Sequence, residues 1–162
     1  MLPSISSLSL GFRHAYLDYE RLPAQLKGWA EVFPDVCRLS SLAQTPEGRE
    51  VWLLTIGRDP DRIRPAAWVD GNIHAAELAG SSVALGIAED VLRLHVEPNE
   101  SELPPSIIER LREVLLYVVP RISPDGAEAV LTSGRSVRSV PRDHRVERGK
   151  PRWMIGDIDG DG

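Results

Sequence analysis

A short apolar segment, a sharp corner and a long apolar segment follow one another near the middle of this chain. Residues 66–70 (Ala-Ala-Trp-Val-Asp) follow a proline and have the composition of a buried strand. Residues 78–94 are apolar and contain no proline, which predicts a helix. The corner between them reads Gly71-Asn72-Ile73-His74-Ala75-Ala76-Glu77. We therefore predict a strand-to-helix unit with His74 at the corner and Glu77 in the first helical turn.

His74 and Glu77 have a spacing that suits metal binding. Residues three apart on a helix lie on one face, so the imidazole and the carboxylate can converge. Zinc takes such ligands and needs at least one more from elsewhere. The alternative is a histidine that forms a local hydrogen bond at the strand end. His144 and Glu147 repeat the spacing in a charged segment without a flanking strand or helix, which predicts a solvated loop.

Helices and apolar strands alternate along the rest of the chain. Periodicity and composition predict two further helices, over 19–31 and 106–113, and three further strands, over 36–42, 50–56 and 114–119. Pro46 and Gly48 supply turn geometry between the first two of these strands, so we expect a hairpin there. The alternation predicts an α/β fold whose mixed, largely parallel sheet is flanked by helices.

The 162 residues are sufficient for one domain that buries about 70 % of its unfolded surface. We expect a single domain over 1–162, with an N-terminal tail over 1–15 and a basic loop and Asp/Gly-rich end over 134–162. The single cysteine, Cys37, excludes an intrachain disulfide, and we expect it to be buried and inert. No apolar run approaches the roughly 20 residues of a membrane span. No secretory signal is visible, which permits a cytoplasmic location without establishing one.

Three motifs occur in the order found in the M14 metallocarboxypeptidases, the carboxypeptidase A family. Gly71-Asn72-x-His74-x-x-Glu77 resembles the first zinc motif of that family. Upstream, Glu47-Gly48-Arg49 is similar to its E-G-R turn. Downstream, Ser123-Pro124-Asp125-Gly126 is similar to its N-P-D-G stretch, with serine replacing asparagine. The resemblance spans residues 16–138 and implies a zinc carboxypeptidase-like fold, a peptide substrate and Zn2+ held by His74 and Glu77.

The resemblance also implies parts of a catalytic site beyond that pair. An arginine shortly after the N-P-D-G stretch stabilises the oxyanion in the family; Arg138 is the best match and Arg135 the fallback. The family's third zinc ligand, a second histidine, and its general base, a glutamate, have no counterpart that we can map. We therefore expect the chain to be the N-terminal part of a larger catalytic domain, to be inactive alone and to pair with the remainder of that domain.

Two segments near the end of the chain raise other possibilities. Residues 135–152 contain seven Arg or Lys and two acidic residues, but the chain as a whole has a net charge of −5 and the run lacks interleaved aromatic residues. We therefore expect a solvated loop and no nucleic-acid partner. Asp157, Asp159 and Asp161, followed by Gly162, match the first half of a calcium loop.

Two alternatives to a metallocarboxypeptidase therefore stay open. One is a zinc-dependent deacylase or amidase of the same fold, because such enzymes share the His-x-x-Glu spacing. The Glu47-Gly48-Arg49 turn and the Pro124-Asp125-Gly126 stretch favour the peptidase. The other is a non-catalytic Ca2+-binding module that uses the aspartates at the end of the chain.

Overall fold

The computed structural model describes residues 3–142, apart from the side chain of Glu100. Four helices are present in this part: α1 (Arg21–Val32), α2 (Ala79–Val96), α3 (Pro105–Glu113) and α4 (Pro124–Ser133). Four strands form one sheet: β1 (Cys37–Gln44), β2 (Glu50–Ile56), β3 (Ala66–Asp70) and β4 (Leu115–Val119). Two short 3-10 helices cover Ile5–Leu8 and Pro98–Glu100. Among the described helices, none is long and apolar enough to cross a membrane.

The sheet is mixed, with strand order β1-β2-β4-β3. β1 and β2 form the expected antiparallel hairpin, β2 pairs antiparallel with β4, and β3 pairs parallel with β4. The mixed α/β class is therefore confirmed, but the prediction of a largely parallel sheet is wrong for the described strands. Among consecutive strands, only β3 and β4 are connected by helices, and a helical crossover of this kind produces parallel strands.

The N-terminal end of the chain belongs to the hydrophobic core. Ile5 and Phe12 are fully buried, and the Phe12 ring packs edge-on against Trp29 of α1 at 5.7 Å between ring centroids. Residues of α1, α2, β2 and β4 complete the core, among them Leu26, Leu54, Leu85 and Val118. The expected tail over 1–15 is therefore packed in the part that the structure describes. Cys37 is buried as expected, and burial raises the pKa of its thiol to about 12.

Strand β3 differs from its prediction as a buried strand. Within the described sheet it pairs only with β4, and four of its five residues are exposed. The Trp68 side chain is exposed over 53 % of its surface although it contacts the ring of Tyr117. An apolar strand at an open sheet edge leaves unpaired backbone groups and apolar side chains accessible.

Helix α4 was not predicted. Pro124 occupies its first turn, where a missing N–H costs nothing, and Asp125 places a negative charge near the positive end of the helix dipole. Gly134 ends the helix in the left-handed conformation, with φ of 65°. These signals were present in the sequence, but the Pro-Asp-Gly stretch was considered only for its resemblance to the N-P-D-G motif, and no element was predicted after β4.

Candidate metal centre

The corner after β3, residues 71–77, forms a tightly held loop that we call the corner loop. Gly71 N donates to Val119 O at 3.0 Å, so parallel pairing with β4 continues one residue past the strand. Asn72 then turns the chain with φ of 56°, in the left-handed region that asparagine tolerates better than most residues. Its side-chain amide Nδ2 donates to the carbonyls of His74 at 2.9 Å and Ala75 at 3.1 Å. The backbone that carries His74 is thereby fixed from inside the loop.

Two glycines allow the corner loop to lie directly on the start of α2. A Cβ atom added to Gly71 would lie 2.3 Å from the carbonyl oxygen of Gly80. A Cβ atom added to Gly80 would lie 2.8 Å from the backbone nitrogen of Asn72. Both distances are shorter than van der Waals contact, so the loop and the helix approach each other through glycine only.

His74 and Glu77 converge at this corner. His74 Nδ1 lies 2.9 Å from Glu77 Oε1, and the two side chains are 37 % and 69 % exposed. Glu77 lies two residues before α2 begins at Ala79, so its placement in the first helical turn is wrong. A turn in which Glu77 N donates to His74 O at 3.0 Å brings the side chains together instead. An imidazole nitrogen and a carboxylate oxygen, both open to solvent, are donors that zinc takes.

Residues 3–142 place no third candidate metal ligand beside this pair. Among them no group of three or more His, Cys, Asp or Glu side chains is placed to bind a metal ion. The second spaced pair, His144 and Glu147, lies outside the described residues. The proposed calcium ligands Asp157, Asp159 and Asp161 lie outside them as well, so the calcium loop stays a prediction.

The backbone of Arg138 reaches the corner loop, whereas Arg135 faces another part of the surface. Arg138 O accepts a hydrogen bond at 2.8 Å from the backbone nitrogen of Ala75, the residue after His74. Arg138 is exposed to solvent. Arg135 lines a polar surface cleft of about 270 Å³ together with Glu128 and Arg142. The structure thus brings the segment of Arg138, the first choice from sequence, next to the histidine.

The turn between β4 and α4 is hydrogen-bonded to the corner loop. Ile122 N donates to Gly71 O at 3.0 Å, Ser123 N to Asn72 O at 3.2 Å, and Ser123 Oγ to Ile73 O at 2.7 Å. Sequence reasoning noted Ser123 only as a departure from asparagine. The available signal was its position directly after β4. The carboxyl ends of neighbouring parallel strands lie at the same end of the sheet, so residues that follow β3 and β4 are expected to be close together.

The other two motifs contact each other through Asp125, whose residue surface is only 3 % exposed. Its Oδ1 accepts hydrogen bonds from Thr45 Oγ1 at 2.8 Å and Arg49 Nη1 at 3.0 Å, and its Oδ2 accepts one from Glu47 N at 3.3 Å. A hydrogen bond between a guanidinium and a carboxylate, such as the one from Arg49, is stronger than a bond between neutral groups. Through these hydrogen bonds, the Glu-Gly-Arg turn and the Pro-Asp-Gly stretch connect the β1–β2 hairpin to α4.

Comparison with known proteins identifies relatives of this chain. Residues 23–154 match the family model for zinc carboxypeptidases, the M14 peptidases. Human carboxypeptidase D is 30 % identical over 132 residues, which cover 79 % of this chain and 9 % of that protein. Mouse carboxypeptidase M is 25 % identical over 133 residues, which cover 80 % of this chain and 28 % of that protein. The chain thus spans well under half the length of these relatives.

A solved structure shows the same fold. The carboxypeptidase A of Helicoverpa armigera superposes with a TM-score of 0.68 at 20 % identity, over 91 % of this chain and 33 % of that one. At that identity the superposition supports the fold, while the sequence match over residues 23–154 identifies the family. This chain belongs to the zinc carboxypeptidase family, the M14 peptidases.

Proposed function

We propose that this chain supplies the zinc-binding pair of a metallocarboxypeptidase that releases C-terminal residues from peptides. The observation that supports it most directly is the convergence of His74 Nδ1 and Glu77 Oε1, 2.9 Å apart, at the strand-to-helix corner. Membership in the zinc carboxypeptidase family supplies the reaction class.

In this proposal each residue at the corner has a distinct task. His74 and Glu77 hold the metal, and the amide of Asn72 keeps the loop backbone in place. Zinc in such a site lowers the pKa of a bound water towards about 7 and polarises a carbonyl oxygen. The guanidinium of Arg138 stabilises the negative charge that develops on the scissile carbonyl oxygen, a task suited to its planar set of donors.

We further propose that the remaining ligand and the general base come from polypeptide outside the described residues, so that the 162-residue chain is inactive alone. A catalytic zinc site takes three protein ligands, and the described part of the chain offers two. Large apolar side chains are exposed on β3, on the corner loop and near the start of α2: Trp68 at 53 %, Ile73 at 54 % and Val83 at 60 %. Exposed apolar surface of this kind is expected where a further part of a domain packs.

The first test is hydrolysis of a peptide by the full-length enzyme and by its His74→Ala and Glu77→Ala variants. Mutation of residues that hold metal ligands in place typically lowers activity by roughly 10–100-fold. Loss of a ligand itself should lower kcat/KM by more than this. His14→Ala is the matched control, because His14 is exposed in the segment before α1 and should retain activity. Normal activity and normal zinc content in both ligand variants would end the assignment.

The substrate class is tested with the same peptide carrying a C-terminal amide. A carboxypeptidase requires a free C-terminal carboxylate, so amidation should abolish cleavage of the last residue. Equal cleavage of both peptides would contradict a carboxypeptidase. Hydrolysis of small N-acyl compounds only would favour the deacylase or amidase alternative.

A further inference from the structure

We propose that Gly126 is a positioning residue for Arg138, an inference that rests on the proposed function. Gly126 lies in the first turn of α4, at the point where this helix meets both the corner loop and the segment of Arg138. A Cβ atom at Gly126 would lie 2.0 Å from the carbonyl oxygen of Ser139 and 2.4 Å from the Cβ atom of Ala75. A hydrogen atom is therefore the largest side chain that fits there.

The two neighbours of Gly126 are adjacent to the two groups that matter most in the proposed chemistry. Ala75 follows His74 and is fully buried, and Ser139 follows Arg138. The backbone nitrogen of Ala75 donates to Arg138 O at 2.8 Å, which joins the two segments directly. Gly126 thus lies against a single hydrogen bond that connects the metal-binding corner with the arginine.

The contacts of Gly126 cannot relax easily on the side of α4 or of the corner loop. The preceding residue, Asp125, is fixed by Thr45, Glu47 and Arg49. The corner loop is held by the amide of Asn72 and by the β4–α4 turn. The atoms that a methyl group would meet are a backbone carbonyl and a Cβ atom, neither of which is the end of a flexible side chain.

The segment of Arg138 is the least restrained of the three contacting parts. Val137 is buried, but Arg138, Ser139 and Val140 are all exposed residues. A methyl group at residue 126 should therefore push Ser139 and Arg138 away from the corner loop and leave His74 and Glu77 in place. Misplacement of a catalytic group by about 1 Å can cost 10²-fold in rate.

The expected signature of Gly126→Ala in the full-length enzyme is therefore a lower kcat, by about 10–100-fold, with KM and zinc stoichiometry unchanged. Arg138→Ala should lower kcat as well, and added guanidinium ion should restore part of its activity. The double variant should be no slower than Arg138→Ala alone, because both changes remove the same interaction. Gly28→Ala is the matched control, since a Cβ atom at Gly28 in α1 meets nothing within 4 Å.

The outcomes separate this inference from the proposed function. If Arg138→Ala leaves kcat unchanged, the role of the arginine in the proposed function is wrong. If Arg138→Ala lowers kcat but folded Gly126→Ala does not, or if the two effects multiply, the positioning role of Gly126 is wrong.

Amide hydrogen exchange in the unmodified enzyme provides a second measurement should Gly126→Ala fail to fold. Slow exchange at the Ala75 amide supports its hydrogen bond to Arg138 O, the contact on which the inference depends. Exchange as fast as at an exposed amide overturns it.

Discussion

His95 is half-buried near the end of α2, and its surroundings make the charged imidazolium unfavourable. Burial is the main cause and the guanidinium groups of Arg112, Arg58 and Arg64 add to it, so that the pKa falls from an ordinary 6.5 to about 4. The unfolded chain therefore binds a proton more readily than the folded protein between these values. Stability conferred by the neutral histidine is complete above about pH 6.5 and is lost as the pH falls towards 4.

We expect the free energy of unfolding of the protein to decrease between pH 6.5 and pH 4, and His95→Gln to flatten this decrease. Glutamine does not titrate in this range, so the variant removes the proton uptake on unfolding. Urea denaturation at several pH values measures the effect, with His14→Gln at an exposed position as the control. Identical pH dependence in the His95 variant and the unmodified protein would contradict the role given to burial.

Helix α2 contains two glycines that should respond to alanine with opposite sign. Gly80→Ala gains helix propensity but places a Cβ atom 2.8 Å from the backbone nitrogen of Asn72, so we expect a loss of about 1–3 kcal/mol in stability. Gly86→Ala meets only the flexible end of Arg13, at 3.4 Å, and should be neutral or stabilising by up to about 1 kcal/mol. Thermal and urea denaturation of both variants tests the difference, and equal effects would show that the corner loop does not rest on α2 as described.

The helices and strands were predictable where periodicity and composition agreed. β2 and β3 have their predicted bounds, and α1, α2 and β4 begin or end within two residues of prediction. α4 was missed because Pro124-Asp125-Gly126 is equally typical of a turn and of a helix start. The sheet was predicted as largely parallel because alternation of helices and strands does not specify that β4 inserts between β2 and β3.

The candidate site was predictable only where its residues are close in sequence. The spacing of His74 and Glu77 was sufficient to predict their convergence, although a turn and not α2 produces it. The contact between Arg138 and Ala75 depends on how the chain returns after α4, which local patterns do not encode. The same holds for Gly126, whose lack of a side chain matters only because two distant segments meet there.

In the proposed function, the complete site requires polypeptide beyond the residues that the structure describes. Strand β3 leaves one edge open in the described sheet, and the chain covers 28 % of mouse carboxypeptidase M and 9 % of human carboxypeptidase D. The pair at the corner is accessible to a metal ion and to further ligands, because both side chains are more than a third exposed. These observations favour a zinc site that becomes complete when additional polypeptide packs beside β3.

Zinc binding tests the central claim most directly, because a local hydrogen bond between His74 and Glu77 would produce the same 2.9 Å contact without metal. The measurement is a calorimetric zinc titration of the 162-residue chain beside a longer polypeptide that extends it downstream, each also as His74→Ala and His14→Ala. The account predicts tight binding of one zinc ion by the longer polypeptide only, lost in His74→Ala and kept in His14→Ala. Tight binding that survives His74→Ala, or no zinc binding by either polypeptide, would contradict it.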